Sequence, residues 1–202
     1  VKHISDLVGL FGDNAIVGLD LPIDAATTTT TTAAATTTTA AAAALPNSCT
    51  NSAWNYTVHY PDGYNVWPSP SQGLECRYFS PEVLEGLPLE QAGLAPLEVG
   101  VISEHGTFDD VVEFLKATVE RVVSEELLMI DERGRTVSLA VVAPNTAGGT
   151  SVVLIWMTEL WPGDPESPTL YAEAEVPSDN LDDLQAYGDI ALAMFRAVEV
   201  TG

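Results

Sequence analysis

The chain has 202 residues, 46% of them hydrophobic, and its 29 acidic side chains against 7 basic ones leave a net charge of −22. That length and apolar content suit one domain with a core, plus a tail. The charge excludes nucleic acid and anionic membrane as direct partners, because both need Lys or Arg to neutralise phosphate.

Three zones follow one another. Val1–Asp24 is a short mixed segment, Ala25–Ala44 contains only Ala and Thr, and Leu45–Gly202 carries a globular pattern. The first residues do not form a signal peptide: Lys2 is the one positive charge, and Asp6, Asp13 and Asp20 interrupt any apolar stretch. The expectation is a mature start whose leader has been removed. Within this zone Ala15, Val17, Leu19, Leu21 and Ile23 alternate with Ile16, Gly18, Asp20 and Pro22. A period of two predicts a strand with one apolar face. A lone strand is unstable in water. It joins its own domain's sheet or a neighbour's, and joining a neighbour builds head-to-tail chains; a disordered tail is the alternative. The Ala/Thr block has nothing bulky to bury and is expected to be a linker or stalk.

The globular zone, 45–202, is predicted as strands, a helix, strands and a helix. Strands are expected at Trp54–Tyr60, Tyr64–Trp67, Leu74–Phe79 and Leu97–Ser103, with a turn at Pro61-Asp62-Gly63 and a loop over Pro81–Pro96. Thr107 caps a predicted helix over Thr107–Glu125, with Asp109 and Asp110 in its first turn and an apolar stripe of Phe108, Val111, Val112, Leu115, Val119 and Val122. Strands at Leu127–Asp131, Thr136–Val142, Ser151–Leu160 and Thr169–Val176 follow. A last helix runs from a cap at Ser178 or Asp179 to about Val198. No apolar run approaches the ~20 residues of a spanning helix, so membrane insertion is not expected. Hairpin-linked strands with two long helices predict an α+β fold, an antiparallel sheet with two main helices packed on it.

Cys49 and Cys76 permit one disulfide; two unrelated buried thiols are the alternative. Neither lies at CxxC-type metal spacing. A bridge would close a loop of roughly 27 residues, for which the chain-entropy model gives ~3–4 kcal/mol. Disulfides persist in oxidising compartments, which points to an extracellular or cell-surface location.

The stretch CTNSAWNYTVHYPDGYNVWP followed by LECRYFSPEVLEGLP resembles a group of exported proteins of high-GC Gram-positive bacteria. Cys49, Tyr60, Pro61, Trp67, Cys76, Phe79 and Pro81 carry the likeness, and Tyr64 stands where Trp is expected. The later order of elements is similar to the PsbP/Mog1 fold. The resemblance implies that fold, a Cys49–Cys76 bridge and an extracytoplasmic home. Members of the wider fold act mainly in assembly or binding, so it implies no catalytic residue.

A search for reactive groups yields no catalytic residue, metal site or cofactor. His3, His59 and His105 have no HxH, HxxxH or HExxH spacing. Gly148-Gly149-Thr150 lacks the Lys of a phosphate loop. Asp131, Glu132 and Arg133 suit a solvated hairpin tip, and Asp179, Asp182, Asp183 and Asp189 lack calcium-loop spacing. Trp156 is expected in the core, Trp161 at a loop tip, and Trp54 and Trp67 against the disulfide. The expected role is a non-enzymatic binding or assembly module that engages a protein partner or itself. The alternative is a filament subunit that donates Ala15–Ile23 to the next copy.

Overall fold

The computed structural model describes residues 44–69, 73–129, 134–144, 149–178 and 181–201. The candidate strand Ala15–Ile23, the Ala/Thr linker up to residue 43, His3, residues 131–133 and Asp179 lie outside the described residues. In chain order the fold runs β1 (Asn47–Asn51), β2 (Tyr56–Tyr60), β3 (Asn65–Val66), β4 (Tyr78–Ser80), α1 (Leu89–Ala92), β5 (Leu97–Ile102), α2 (Phe108–Thr118), β6 (Arg121–Met129), β7 (Arg135–Pro144), β8 (Thr150–Glu159), β9 (Thr169–Pro177), α3 (Leu184–Arg196) and β10 (Glu199–Val200). Seven strands form one sheet in the order β3-β4-β5-β9-β8-β7-β6, and β1-β2-β10 form a second. Each strand pairing among these is antiparallel.

The large sheet is buried on both faces at its centre. β8 is buried from Ser151 to Thr158. Its even-numbered Val152, Leu154 and Trp156 enter one core, with Leu184, Ala191, Met194 and Phe195 of α3 and with Tyr56 and Val58 of the small sheet. Its odd-numbered Val153, Ile155 and Met157 enter a second core with Phe108 and Val112 of α2. The period-two geometry of a strand sorts one continuous apolar run into two cores. Burying each such side chain is worth about 1.5–3 kcal/mol. α3 lies close on β8 at Gly188, where an added Cβ would come within 2.8 Å of Leu154 Cδ1.

The expected α+β fold, with two main helices on a sheet, gives way to a mostly β molecule. Among the described residues ten strands in two antiparallel sheets make a β-sandwich-like body, with helices of 11 and 13 residues as the longest. The largest departure falls in the predicted helix Thr107–Glu125. α2 stops at Thr118, Val119 turns extended, and the chain enters β6 at Arg121. The run Val119, Val122, Val123 is β-branched, so it satisfies a helical stripe in sequence while favouring a strand beside β7. The last helix is also shorter than expected, because Leu184 opens it and Glu199–Val200 pairs with β2.

The start of α2 is set by a reciprocal cap. Thr107 Oγ1 accepts from the Asp110 backbone N–H at 3.4 Å, and the Asp110 carboxylate accepts from the Thr107 N–H at 2.9 Å. Asp109, one residue earlier, pairs with Arg135 of β7. Thr107→Ala is expected to cost about 1 kcal/mol in chemical denaturation with the m-value unchanged. An unaltered midpoint would show that α2 needs no cap.

Cys49 of β1 and Cys76, just before β4, are joined as a disulfide with Cα atoms 5.6 Å apart. The bridge fastens the small sheet to the end of the large one. Beside it the buried Asn51 amide donates to Glu75 O at 2.9 Å and Gly73 O at 3.2 Å, while its Oδ1 accepts from Ala53 and Trp54 N–H. Trp54 packs, half-buried, on the cluster that holds Cys76. Trp67 does not meet the disulfide: it packs with Tyr78, Leu84 and Ala92 and donates from Nε1 to Leu87 O at 3.0 Å. Trp156 is buried, and Trp161 is 36% exposed.

Candidate functional site

The two ends of the large sheet differ. β3 is two residues long, whereas β6 at the opposite end runs nine residues. Among the described residues no strand pairs with the outer side of β6. An antiparallel edge of this length presents a row of backbone N–H and C=O groups that can accept another strand. The usual protections are only partly in place. A register shift between Val122 and Ser124 twists one end. Glu125 and Glu126 add charge, but β6 carries no Pro or Lys.

A groove runs alongside this edge. Among the described residues α3 packs mainly on β9, β5 and β8 and less on β6 and β7. Ser124 and Leu128 of β6 and Ala140 of β7 form the floor, and Gln185, Asp189 and Leu192 of α3 form the wall, around a cavity of about 210 Å³. On the other face Leu127 is 63% exposed, and Lys116 of α2 reaches Glu125 at 3.0 Å. Phe114 of α2 is exposed as well and carries the His105 ring stacked at 3.8 Å.

A polar cluster lies within the sheet, on the α2 face. Glu98 of β5 and Glu173 of β9 stand directly opposite each other. Arg77 Nε donates to Glu98 Oε1 at 2.5 Å, and the Tyr171 hydroxyl donates to the same oxygen. Tyr171 can lie there because Gly100 faces it, and a Cβ at Gly100 would meet the ring at 2.8–2.9 Å. Burial of the Glu173 carboxyl, together with the Glu98 charge, pushes its pKa well above the usual carboxylate range. The Glu98 side chain is also its hydrogen-bond partner, which favours the protonated form of Glu173 further. Burial also raises the Tyr171 phenol. Arg77, Tyr171 and Glu173 all converge on Glu98, so the cluster reads as a joint between β5 and β9.

The histidines are not brought together. His59 Nε2 lies 3.3 Å from Glu199 in the small sheet, whereas His105 sits across the large sheet against α2. Among the described residues no three His, Cys, Asp or Glu side chains are arranged to hold a metal ion. Asp182 and Asp183 are exposed, and Asp189 accepts from Gln185 at 2.7 Å. A wider cleft of about 430 Å³ between Trp67, Leu74 and Leu87–Leu89 is mainly apolar, with no titratable group among the described residues that line it. No helix among the described residues is long and apolar enough to cross a membrane.

Sequence reasoning missed both the open edge and the acid pair. The one available signal for the pair was Glu173 and Glu175 alternating with Ala172, Ala174 and Val176, a pattern that equally describes a solvated face. No protein-family model and no curated protein matches this chain.

Proposed function

We propose that this chain is an extracellular or cell-surface, non-enzymatic assembly module that holds a protein partner by taking the partner's strand onto β6. The observation that carries the reading is a nine-residue edge without a partner strand among the described residues, beside a groove sized for side chains. Main-chain hydrogen bonds supply affinity in such pairing, and a groove that receives alternate side chains supplies selectivity. The Cys49–Cys76 bridge is consistent with an oxidising compartment, which supports the location. The acidic surface favours solubility there. A second reading makes the chain a filament subunit whose own Ala15–Ile23 segment pairs with β6 of the next copy. It is favoured by equal length, nine residues on each side.

The test uses the full chain with Leu19→Asp and Leu21→Asp, which disables its own candidate strand, and a fluorescent nine-residue peptide of alternating valine and threonine. The peptide is expected to bind saturably, and adding Leu128→Lys on the groove side of β6 weakens binding by at least about tenfold, because it takes an apolar side chain out of the groove and sets a charge in its place. No binding at millimolar peptide, or binding indifferent to Leu128→Lys, would sink strand addition at this edge.

A further inference from the structure

We infer that the strand β6 accepts is a basic one from a different protein, with a lysine or arginine on the groove face opposite Glu126 and an apolar residue two positions away, opposite Leu128. This rests on the reading of β6 as a strand-accepting edge and adds the chemistry of the partner.

Alternation along β6 sends Ser124, Glu126 and Leu128 to the groove. Glu125 and Leu127 fall on the α2 side, where Lys116 reaches Glu125 and the Val137 opposite Leu127 belongs to the α2 core. The two neighbouring acids therefore differ in their surroundings. Glu125 has a cation at 3.0 Å. Glu126 faces Ser138 directly across β7, with Thr136 and Ala140 diagonal to it, and none of these carries a charge. Asp189 of α3 lines the same cavity, and its partner there is the uncharged Gln185 amide. Among the described residues no cation pairs with Glu126 or Asp189. Side chains directly opposite each other on neighbouring strands stand about 5 Å apart, close enough for opposite charges to attract and like charges to repel. With β7 on the inner side, the remaining cross-strand position of Glu126 is the one an added strand fills.

Around that charge the edge is apolar. Leu128 lines the groove two residues on, and Leu127 on the other face is 63% exposed. A guest that runs antiparallel, as β7 does on the inner side, therefore reads apolar, apolar, basic from its N-terminal side, opposite Leu128, Leu127 and Glu126. The aliphatic stem of a lysine or arginine covers apolar surface while its head reaches a carboxylate.

A second copy of the chain lacks this chemistry. It carries 7 basic side chains against 29 acidic ones. Arg77, Lys116 and Arg135 are committed to Glu98, Glu125 and Asp109 within the fold. Two molecules of charge −22 also repel each other. The complementary occupant is a strand of another, basic protein.

The test titrates the full chain carrying Leu19→Asp and Leu21→Asp with three nine-residue peptides. These are the alternating valine–threonine strand and the same strand with lysine or with glutamate in place of its central valine. The lysine peptide is expected to bind at least about fivefold more tightly than the glutamate peptide at physiological salt. Glu126→Gln with Asp189→Asn brings that ratio to about twofold or less, because the local charges are gone and distant ones are screened. Glu82→Gln with Glu85→Gln removes the same number of charges from the loop after β4, towards the other end of the sheet, and leaves the ratio unchanged. Equal binding of the lysine and glutamate peptides would overturn the basic partner and leave strand addition standing. A ratio that survives Glu126→Gln with Asp189→Asn would assign the preference to the overall charge and overturn the site. A sedimenting mass of the unmodified chain that rises with concentration, and no longer rises with Leu128→Lys, would give the edge to a second copy and overturn the basic partner. No binding of any of the three peptides would overturn strand addition and this inference with it.

Discussion

Replacing Cys76 with serine lowers the thermal midpoint under non-reducing conditions by roughly 10 °C, the loss of ~3–4 kcal/mol for a loop of this length. The bridge spans 27 positions and ties β1 to the segment entering β4. Two features of the site bear on the loss. Cys76 has a φ of +60°, a left-handed conformation that side chains other than glycine adopt at a cost. The bridge and the buried Asn51 amide, which donates to Gly73 O and Glu75 O, hold the chain in it. The small sheet is also narrow, three strands of five, five and two residues, and depends on this fastening. Differential scanning calorimetry of Cys76→Ser, of the double serine variant and of the unmodified protein with and without reductant supplies the check. Equal midpoints throughout would mean that the two sulfurs are not joined in solution.

The second large effect is a pH dependence that turns on Glu173. Its folded pKa is raised, by burial first and by Glu98 second. In the unfolded chain it titrates as an ordinary glutamate near about 4.3. The native state therefore binds the extra proton between the ordinary value and the raised one, and stability falls as pH climbs through that window. One proton corresponds to a slope of about 1.4 kcal/mol per pH unit. The contribution is fully present below the ordinary glutamate range and lost as pH passes the raised value. Asp109 and Asp110 act with the opposite sign. The Arg135 hydrogen bond lowers Asp109 and the Thr107 hydrogen bonds lower Asp110, so what they add is lost as pH falls. Glu173→Gln isolates the first effect, because the amide still donates to Glu98 but does not titrate. Urea unfolding from pH 5 to 9 is expected to give a flatter profile for the variant, which becomes the more stable form at the alkaline end. Parallel profiles would place the proton elsewhere.

Much of the strand content could be read from the sequence because it obeys a simple period. The run Val152–Met157 is apolar without a break, and β8 indeed needs apolar residues on both faces. β7 and β9 alternate and were located to within two residues. β1 was invisible because Asn47, Ser48, Thr50 and Asn51 are polar, and its place is set by pairing with β2 and by Cys49. The end of α2 was ambiguous in principle, since Val119, Val122 and Val123 fit either period and only the neighbouring β7 decides. The open edge and the acid pair both depend on strand order. Nothing local says that β5 lies beside β9, yet that adjacency brings Glu98 to Glu173 and leaves β6 at the end of the row. The cysteine pairing is the one part of the candidate chemistry that the sequence carried openly.

The pairing of β10 with β2 has a consequence for how the molecule is made. Thr201 donates to Asn55 O across 146 positions, so the small sheet closes only when segments from both ends of the domain meet. Contacts of such high sequence separation form late and slowly. The small sheet of a nascent chain would therefore stay open until Glu199–Thr201 have been synthesised, while sulfur chemistry between Cys49 and Cys76 needs only about the first fifth of the domain to have emerged.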